Sequence, residues 1–75
     1  MDLCLVTTLT DTEYNASNII YTLASENLII RATMYQVESY IIEDTRCKRK
    51  YEYRIELISN YDKYEKLIAK LKELH

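Results

Sequence analysis

The chain has 75 residues, of which 48% are hydrophobic and 29% are charged, and its formal net charge at pH 7 is -2. This composition is typical of one folded domain and not of a disordered segment. A core this small supplies only about 3–5 kcal/mol of stability, so we expect association to supplement it. The charge balance argues against a general attraction to nucleic acid or to an anionic membrane.

Glycine and proline are both absent from the sequence. Turns must therefore be made by Asn, Asp, Ser and Thr, and the Gly-rich phosphate loop, the dinucleotide fingerprint and the nucleophile elbow are excluded. The sequence also shows no nucleophile beside a base and no pair of carboxylates on one predicted face. We therefore predict that the protein is not an enzyme.

The cysteines and the apolar runs indicate the cellular compartment of the protein. Cys4 and Cys47 have neither the spacing of a zinc site nor that of a disulfide framework, so reduced thiols are expected. The N-terminal segment MDLCLVTTLT lacks the features of a signal peptide, and no apolar run approaches the roughly 20 residues of a membrane span. The sequence predicts a cytoplasmic protein that does not bind membranes.

The first two predicted elements are a strand and a helix. The apolar run Leu3–Thr8 is continuous, which is typical of a strand covered on both faces. Thr10 and Glu13 fit a capping box that starts a helix, and Asn27 can end that helix in place of glycine. The expected apolar face of the helix consists of Ala16, Ile19, Ile20, Leu23 and Ala24.

A hairpin is predicted next. From Leu28 the residues alternate, but the inward parity changes near Tyr35 and Gln36, which predicts a long strand with a bulge or a bend. Glu43–Lys50 is predicted as the polar connection, and Tyr51–Ser59 alternates regularly as a third strand.

A second helix completes the predicted elements. Ser59 or Asn60 is its expected cap. Its apolar stripe consists of Tyr61, Tyr64, Leu67, Ile68, Leu71 and Leu74. The chain is thus predicted to have one α+β domain, residues 1–75, with the order β-α-β-β-α.

This order matches the first five elements of a ferredoxin-like βαββαβ fold, in which the third strand lies between the first two and both helices cover one face of an antiparallel sheet. In the complete fold a fourth strand pairs with the free side of the first. The sequence therefore predicts a truncated version whose association edge contains Leu3, Leu5 and Thr7.

Four segments support a resemblance to a known family. The segments LVTTLTDTEYNASNIIYTLASENLIIRA, VESY, EYRIELIS and KLIAKLKELH together resemble, in order, the first strand, first helix, bent strand, third strand and second helix of the CutA divalent-cation-tolerance family. The resemblance covers nearly all of the chain. It implies a CutA-like domain that lacks the family's C-terminal strand and helix.

The resemblance also implies function. It suggests a homotrimer involved in divalent metal ion tolerance or ligand sensing, with a divalent metal such as copper as the cofactor. His75 is the only histidine and matches a segment that the family associates with ligand or metal binding, so it is the candidate metal ligand. A solvated histidine that favours the helix C-terminus is the simpler interpretation.

A second hypothesis concerns a basic segment. Arg46, Lys48, Arg49 and Lys50 would lie at the hairpin tip, where clustered cations can bind a polyanion such as nucleic acid. They also favour the thiolate of Cys47 and a reactive cysteine. Solvated side chains are the simpler interpretation of both features. A third hypothesis is a structural remnant without an activity of its own.

Overall fold

The computed structural model describes residues 2–75. The elements in chain order are β1 (Leu3–Thr10), α1 (Glu13–Ser25), β2 (Arg31–Glu43), β3 (Arg46–Asn60), a 3-10 turn (Tyr61–Lys63) and α2 (Tyr64–Leu74). Within residues 2–75 the strands form one antiparallel sheet in the order β1-β3-β2. The predicted α+β, ferredoxin-like arrangement is therefore confirmed, including the insertion of the third strand between the first two.

The core lies between the sheet and the two helices. Ile55 and Leu57 of the central strand β3 are completely buried, because the helices cover this face of the sheet. The cluster of buried apolar residues comprises Ala16, Ile19, Leu23, Leu28, Ile55, Leu57, Leu67 and Leu71. Each buried Leu or Ile side chain contributes about 1.5–3 kcal/mol, and this cluster holds the helices on one face of the sheet.

The first helix begins two residues later than the capping-box prediction. Thr12 is the N-cap, and its side-chain oxygen accepts a hydrogen bond of 3.0 Å from the backbone N–H of Asn15. Thr10 cannot act as the cap because it is still part of β1, where it pairs with Tyr53. The capping-box prediction for Thr10 is therefore wrong, because strand pairing holds its backbone extended.

The predicted end of α1 is confirmed. Asn27 has a φ of 57°, the left-handed conformation that ends helices, and the N–H of Leu28 donates to the carbonyl of Leu23 at 3.0 Å. The ammonium group of Lys63 donates to the carbonyl of Asn27 at 2.7 Å, so the start of the second helical segment holds the end of the first.

The long hairpin contains no bulge along its paired residues. β2 and β3 pair one to one from Arg31 opposite Ile58 to Glu43 opposite Arg46, so the predicted bulge near Tyr35 and Gln36 is wrong. The half-buried residues of β2 change from even to odd positions because the far end of the hairpin is not covered by the helices. Beyond Tyr35 the half-buried residues of β2 are Val37 and Ser39, on the face opposite Ala32 and Met34, and the one-to-one pairing shows no displacement of the backbone.

The predicted connection Glu43–Lys50 is also wrong. The turn consists of Asp44 and Thr45, and Asp44 has a φ of 55°. Arg46 starts β3 directly after the turn, so the basic segment lies on a strand. Asp tolerates the left-handed conformation and therefore allows this tight turn without glycine.

The second helix starts with a 3-10 turn and has no side-chain cap. Asn60 precedes this turn, as expected for a cap, but its side chain makes no capping hydrogen bond, and its Oδ1 atom is buried without a partner within the described residues. The stripe of α2 packs through Leu67 and Leu71. The two predicted tyrosines of the stripe, Tyr61 and Tyr64, stack on each other and stay exposed.

Candidate functional site

The two faces of β1 have very different surroundings. Side chains alternate along a strand, so Cys4, Val6 and Thr8 point towards the helices and are half-buried. Leu3 and Leu5 point to the opposite side, where their exposed fractions are 59% and 63%. The prediction that this strand is covered on both faces is wrong, because both helices pack on the same side of the sheet.

The uncovered side of the sheet, here called the helix-free face, carries exposed apolar side chains among polar and charged ones. The strand register places Leu5 beside Ile58, and Thr7 beside Glu56. The apolar members of this face are Leu3, Leu5, Leu9, Ile58, Tyr35, Val37 and Ile41. Leu3, Leu5 and Ile58 form an apolar patch at one end of this face, and Thr7 and Glu56 separate the patch from the other apolar members. Exposed apolar patches are typical of interaction sites.

The predicted association edge belongs to this surface. β1 and β2 are the edge strands of the sheet within residues 2–75. Leu3, Leu5 and Thr7 all lie on the helix-free face of β1 and are exposed. Ile58 and Tyr35 also lie on this face and were not predicted, although the alternation of residues in β2 and β3 contains the signal.

The candidate metal ligand lies on the other side of β1. His75 follows α2, and its Nε2 atom lies 3.1 Å from the hydroxyl oxygen of Thr8, which is hydrogen-bond distance. Among residues 2–75 no group of three His, Cys, Asp or Glu side chains is arranged to hold a metal ion. One imidazole beside a hydroxyl does not by itself fit the ligand set of a transition metal.

The four cations of the basic segment are divided between the two faces of β3. Arg46, Lys48 and Lys50 share the helix-free face, because they are separated by two residues. Arg49 lies on the opposite face, where its guanidinium is 3.6 Å from the carboxylate of Glu38 and stacks at 5.8 Å over the ring of Tyr51. The prediction of one cluster of four cations is therefore wrong, because the alternation of side chains along β3 divides them.

A shallow groove lies next to these cations. Its volume is about 540 Å³, and its lining consists of Ile41, Glu43, Asp44, Thr45, Arg46 and Lys48. The strand residues of the lining belong to the helix-free face. The groove therefore combines an aliphatic wall with both signs of charge. Cys47 is a free, exposed thiol of the opposite face.

The carboxylate of Asp11 lies near Lys50 and has a lowered pKa. The side-chain amide of Asn15 donates to Asp11 at 2.9 Å, and this hydrogen bond is the main reason that the pKa of Asp11 lies below its ordinary value. A backbone hydrogen bond and the positive charge of Lys50 lower the pKa further. Asp11 is therefore an anion near Lys50 at neutral pH.

A further ionic group joins the helices. Lys70 of α2 lies 3.0 Å from the carboxylate of Glu26 at the end of α1, and 3.3 Å from that of Glu73. These contacts raise the pKa of Lys70, with the Glu26 hydrogen bond as the largest cause.

Neither helix in residues 2–75 is long and apolar enough to cross a membrane.

The fold and the open apolar sheet face define a small ferredoxin-like α+β domain with one uncovered side. This fold is that of the CutA divalent cation tolerance proteins. The CutA1 protein of Ehrlichia chaffeensis superposes with a TM-score of 0.91 at 23% identity, covering 99% of this chain and 70% of that one. CutA of Synechococcus elongatus gives 0.91 at 19% identity, covering 99% and 66%.

A third solved structure extends the likeness to the archaea. The periplasmic divalent cation tolerance protein CutA of Archaeoglobus fulgidus gives a TM-score of 0.87 at 12% identity, covering 99% of this chain and 72% of that one. No protein-family model matches the chain, and no curated protein sequence matches it. The resemblance suggested by the sequence is thus confirmed in the fold.

Proposed function

We propose that the chain is a divergent CutA-type protein that works as a homo-oligomer, a trimer, in the tolerance or sensing of divalent metal ions, without a catalytic step. The observation that carries the proposal is the superposition of 99% of the chain on CutA proteins with TM-scores of 0.84 to 0.91. Those proteins are named for divalent ion tolerance, and the proposal extends that role to this chain.

The helix-free face supports the oligomeric part of the proposal. Leu3 and Leu5 of β1 are more than half exposed, and Ile58 lies beside them in the register. Covering apolar surface gains about 25 cal/mol per Å², so a second copy on the Leu3, Leu5 and Ile58 end of this face would add to the small core of the single chain. The unpaired edges of β1 and β2 also favour association, but by strand pairing with another copy.

The metal-dependent part of the proposal assigns one ligand to His75. Because the donor set of one chain does not fit a divalent metal site, the proposed site takes its other ligands from a neighbouring copy. An imidazole suits copper among the first-row metals. The free thiols of Cys4 and Cys47 support a cytoplasmic location, which cell fractionation would test.

The first experiment measures the solution mass by light scattering across a dilution series, with circular dichroism on the same samples. The proposal expects a folded trimer that dissociates on dilution. A well-folded monomer at every concentration would overturn the oligomeric part. This measurement also tests the hypothesis that the chain is a structural remnant without an activity of its own, which predicts poor solubility and loose packing.

The second experiment is a calorimetric titration with Cu²⁺ of the wild-type protein and of two variants. His75→Gln should lose at least tenfold in affinity, because an imidazole ligand is removed. Cys47→Ser is the matched control, since an exposed thiol can also bind copper. Equal binding by the wild type and the His75 variant would overturn the ligand assignment.

A further inference from the structure

We propose that the helix-free face of the far half of the β2–β3 hairpin binds an extended chain of phosphate groups. The side chains responsible are Arg46, Lys48 and Lys50, here called the cation row. The ligand class is a linear phosphate polymer, either a single-stranded nucleic acid or inorganic polyphosphate. This inference does not rest on the proposed metal-related function.

The spacing of the cation row suits a linear polyanion. Its members follow each other at every second residue of β3, so neighbouring side chains start about 6.6–6.8 Å apart on one face of the strand. All three residues are exposed. A straight, regularly spaced line of cations can contact successive phosphates of an extended strand, whereas a compact anion would reach one or two of them.

The charges around the cation row leave its side chains free to bind a ligand. Among the described residues, none of the three cations forms a salt bridge, whereas Arg49 on the opposite face pairs with Glu38. The acidic groups that face the row are Glu43, Asp44, Glu52 and Asp11. They lie at its two ends, so they limit the length of the bound segment to about three phosphates without blocking the middle.

The groove at the hairpin tip provides the second observation. Arg46 and Lys48 both line it, and Ile41 forms an aliphatic wall next to them. The register places Ile41 directly opposite Lys48. A phosphate chain that enters this groove from the side of Lys50 would meet Lys48 and Arg46, and it would stop at the carboxylates of Glu43 and Asp44 at the hairpin tip. The aliphatic wall would reduce competition from water.

The experiment measures fluorescence anisotropy of a labelled oligothymidylate of twelve nucleotides with the full chain. Three phosphate contacts predict that the logarithm of the affinity falls against the logarithm of salt concentration with a slope of about -2. Between 50 and 200 mM salt the affinity should therefore fall roughly 20-fold. Unlabelled linear polyphosphate, compared per phosphate, should displace the oligonucleotide.

Two matched variants test the assignment to one face. Lys48→Gln and Arg49→Gln remove the same charge from adjacent positions. Lys48→Gln should weaken binding severalfold and reduce the salt slope to about -1.4, because one phosphate contact is lost. Arg49→Gln should keep the wild-type affinity and slope, since its side chain lies on the opposite face and is paired with Glu38.

Three results would overturn the proposal. The first is the lack of measurable binding at 50 mM salt, and the second is an equal loss in the two variants. The third is an oligonucleotide that binds but is not displaced by polyphosphate, because bases and not phosphates would then be recognised. Circular dichroism of each variant establishes that the comparison concerns folded proteins.

Discussion

The hydroxyl group of Ser59 in β3 donates a buried hydrogen bond of 2.6 Å to the backbone carbonyl of Leu28. Ser59 is completely buried, and Leu28 lies in the connection between α1 and β2. The central strand thus fixes the segment that leaves the first helix. This bond explains a polar side chain in an otherwise apolar core, because a buried carbonyl needs a donor.

We expect Ser59→Ala to lower the free energy of unfolding by about 1–3 kcal/mol, because the buried carbonyl of Leu28 loses this donor. Urea denaturation would measure the change. Ser25→Ala is the matched control, since its hydroxyl also donates to a backbone carbonyl, that of Thr22, but on the surface. Its effect should stay within about 0.5 kcal/mol. Equal losses in the two variants would contradict the role of burial.

The N-cap of α1 can be tested by comparing two threonines. Thr12→Ala should lower the free energy of unfolding by about 1 kcal/mol, because the N–H of Asn15 loses its acceptor. Thr10→Ala, at the position that the capping box suggested, should have a smaller effect, since its hydroxyl makes only a long contact of 3.5 Å with Asp11. A larger loss for Thr10→Ala would show that the cap is misassigned.

The end of α1 depends on a left-handed residue. Asn27→Ala should destabilise the protein by about 1 kcal/mol, because alanine tolerates a positive φ less well than asparagine does. Asn27→Gly should be neutral or slightly stabilising at this position. Both variants keep the carbonyl that Lys63 contacts. Thermal unfolding of the pair isolates the backbone effect, and the reverse order of stability would refute it.

The helix-free face can be tested with a charge. Leu5→Lys should shift the solution mass towards the monomer and raise the dissociation constant at least tenfold, because association would then bury an unpaired ammonium group. Tyr21→Lys is the control, since Tyr21 is 75% exposed but lies on α1. It should leave the mass unchanged. Loss of the oligomer in the control alone would place the interface on the helices.

The pKa of Asp11 has a direct experimental test. Its folded-state pKa lies below the ordinary value of 3.8, chiefly because the Asn15 amide donates to the carboxylate. A depressed carboxyl pKa contributes stability above the unfolded-state pKa, and this contribution is lost as the pH falls through the folded-state pKa. Carboxyl NMR titration should show a higher pKa for Asp11 in Asn15→Ala. An unchanged pKa would exclude the amide as the main cause.

The sequence predicted the class of fold because the periods of its apolar residues are local. The helical faces and the alternation of β3 gave the order β-α-β-β-α, and the need to place strand three beside strand two gave the sheet order that the structure shows. Asn27 was recognised as a helix end from its residue type and position. The same local patterns predicted the N-cap of α1 at Thr10. This prediction was wrong because β1 continues to Thr10 by pairing with β3, which a local pattern does not show.

Only the tertiary structure decided which alternating residues of the strands are buried. The two helices cover one face of the sheet and stop short of the hairpin tip, so the parity change near Tyr35 reflects the limit of that cover and not a bulge. The side on which the helices pack also leaves Leu5 exposed and separates Arg49 from Lys48. The sequence by itself determined the elements and their alternation. Which face of each strand meets a helix depends on long-range packing, and that packing decided the exposed apolar face, the cation row and the surroundings of His75.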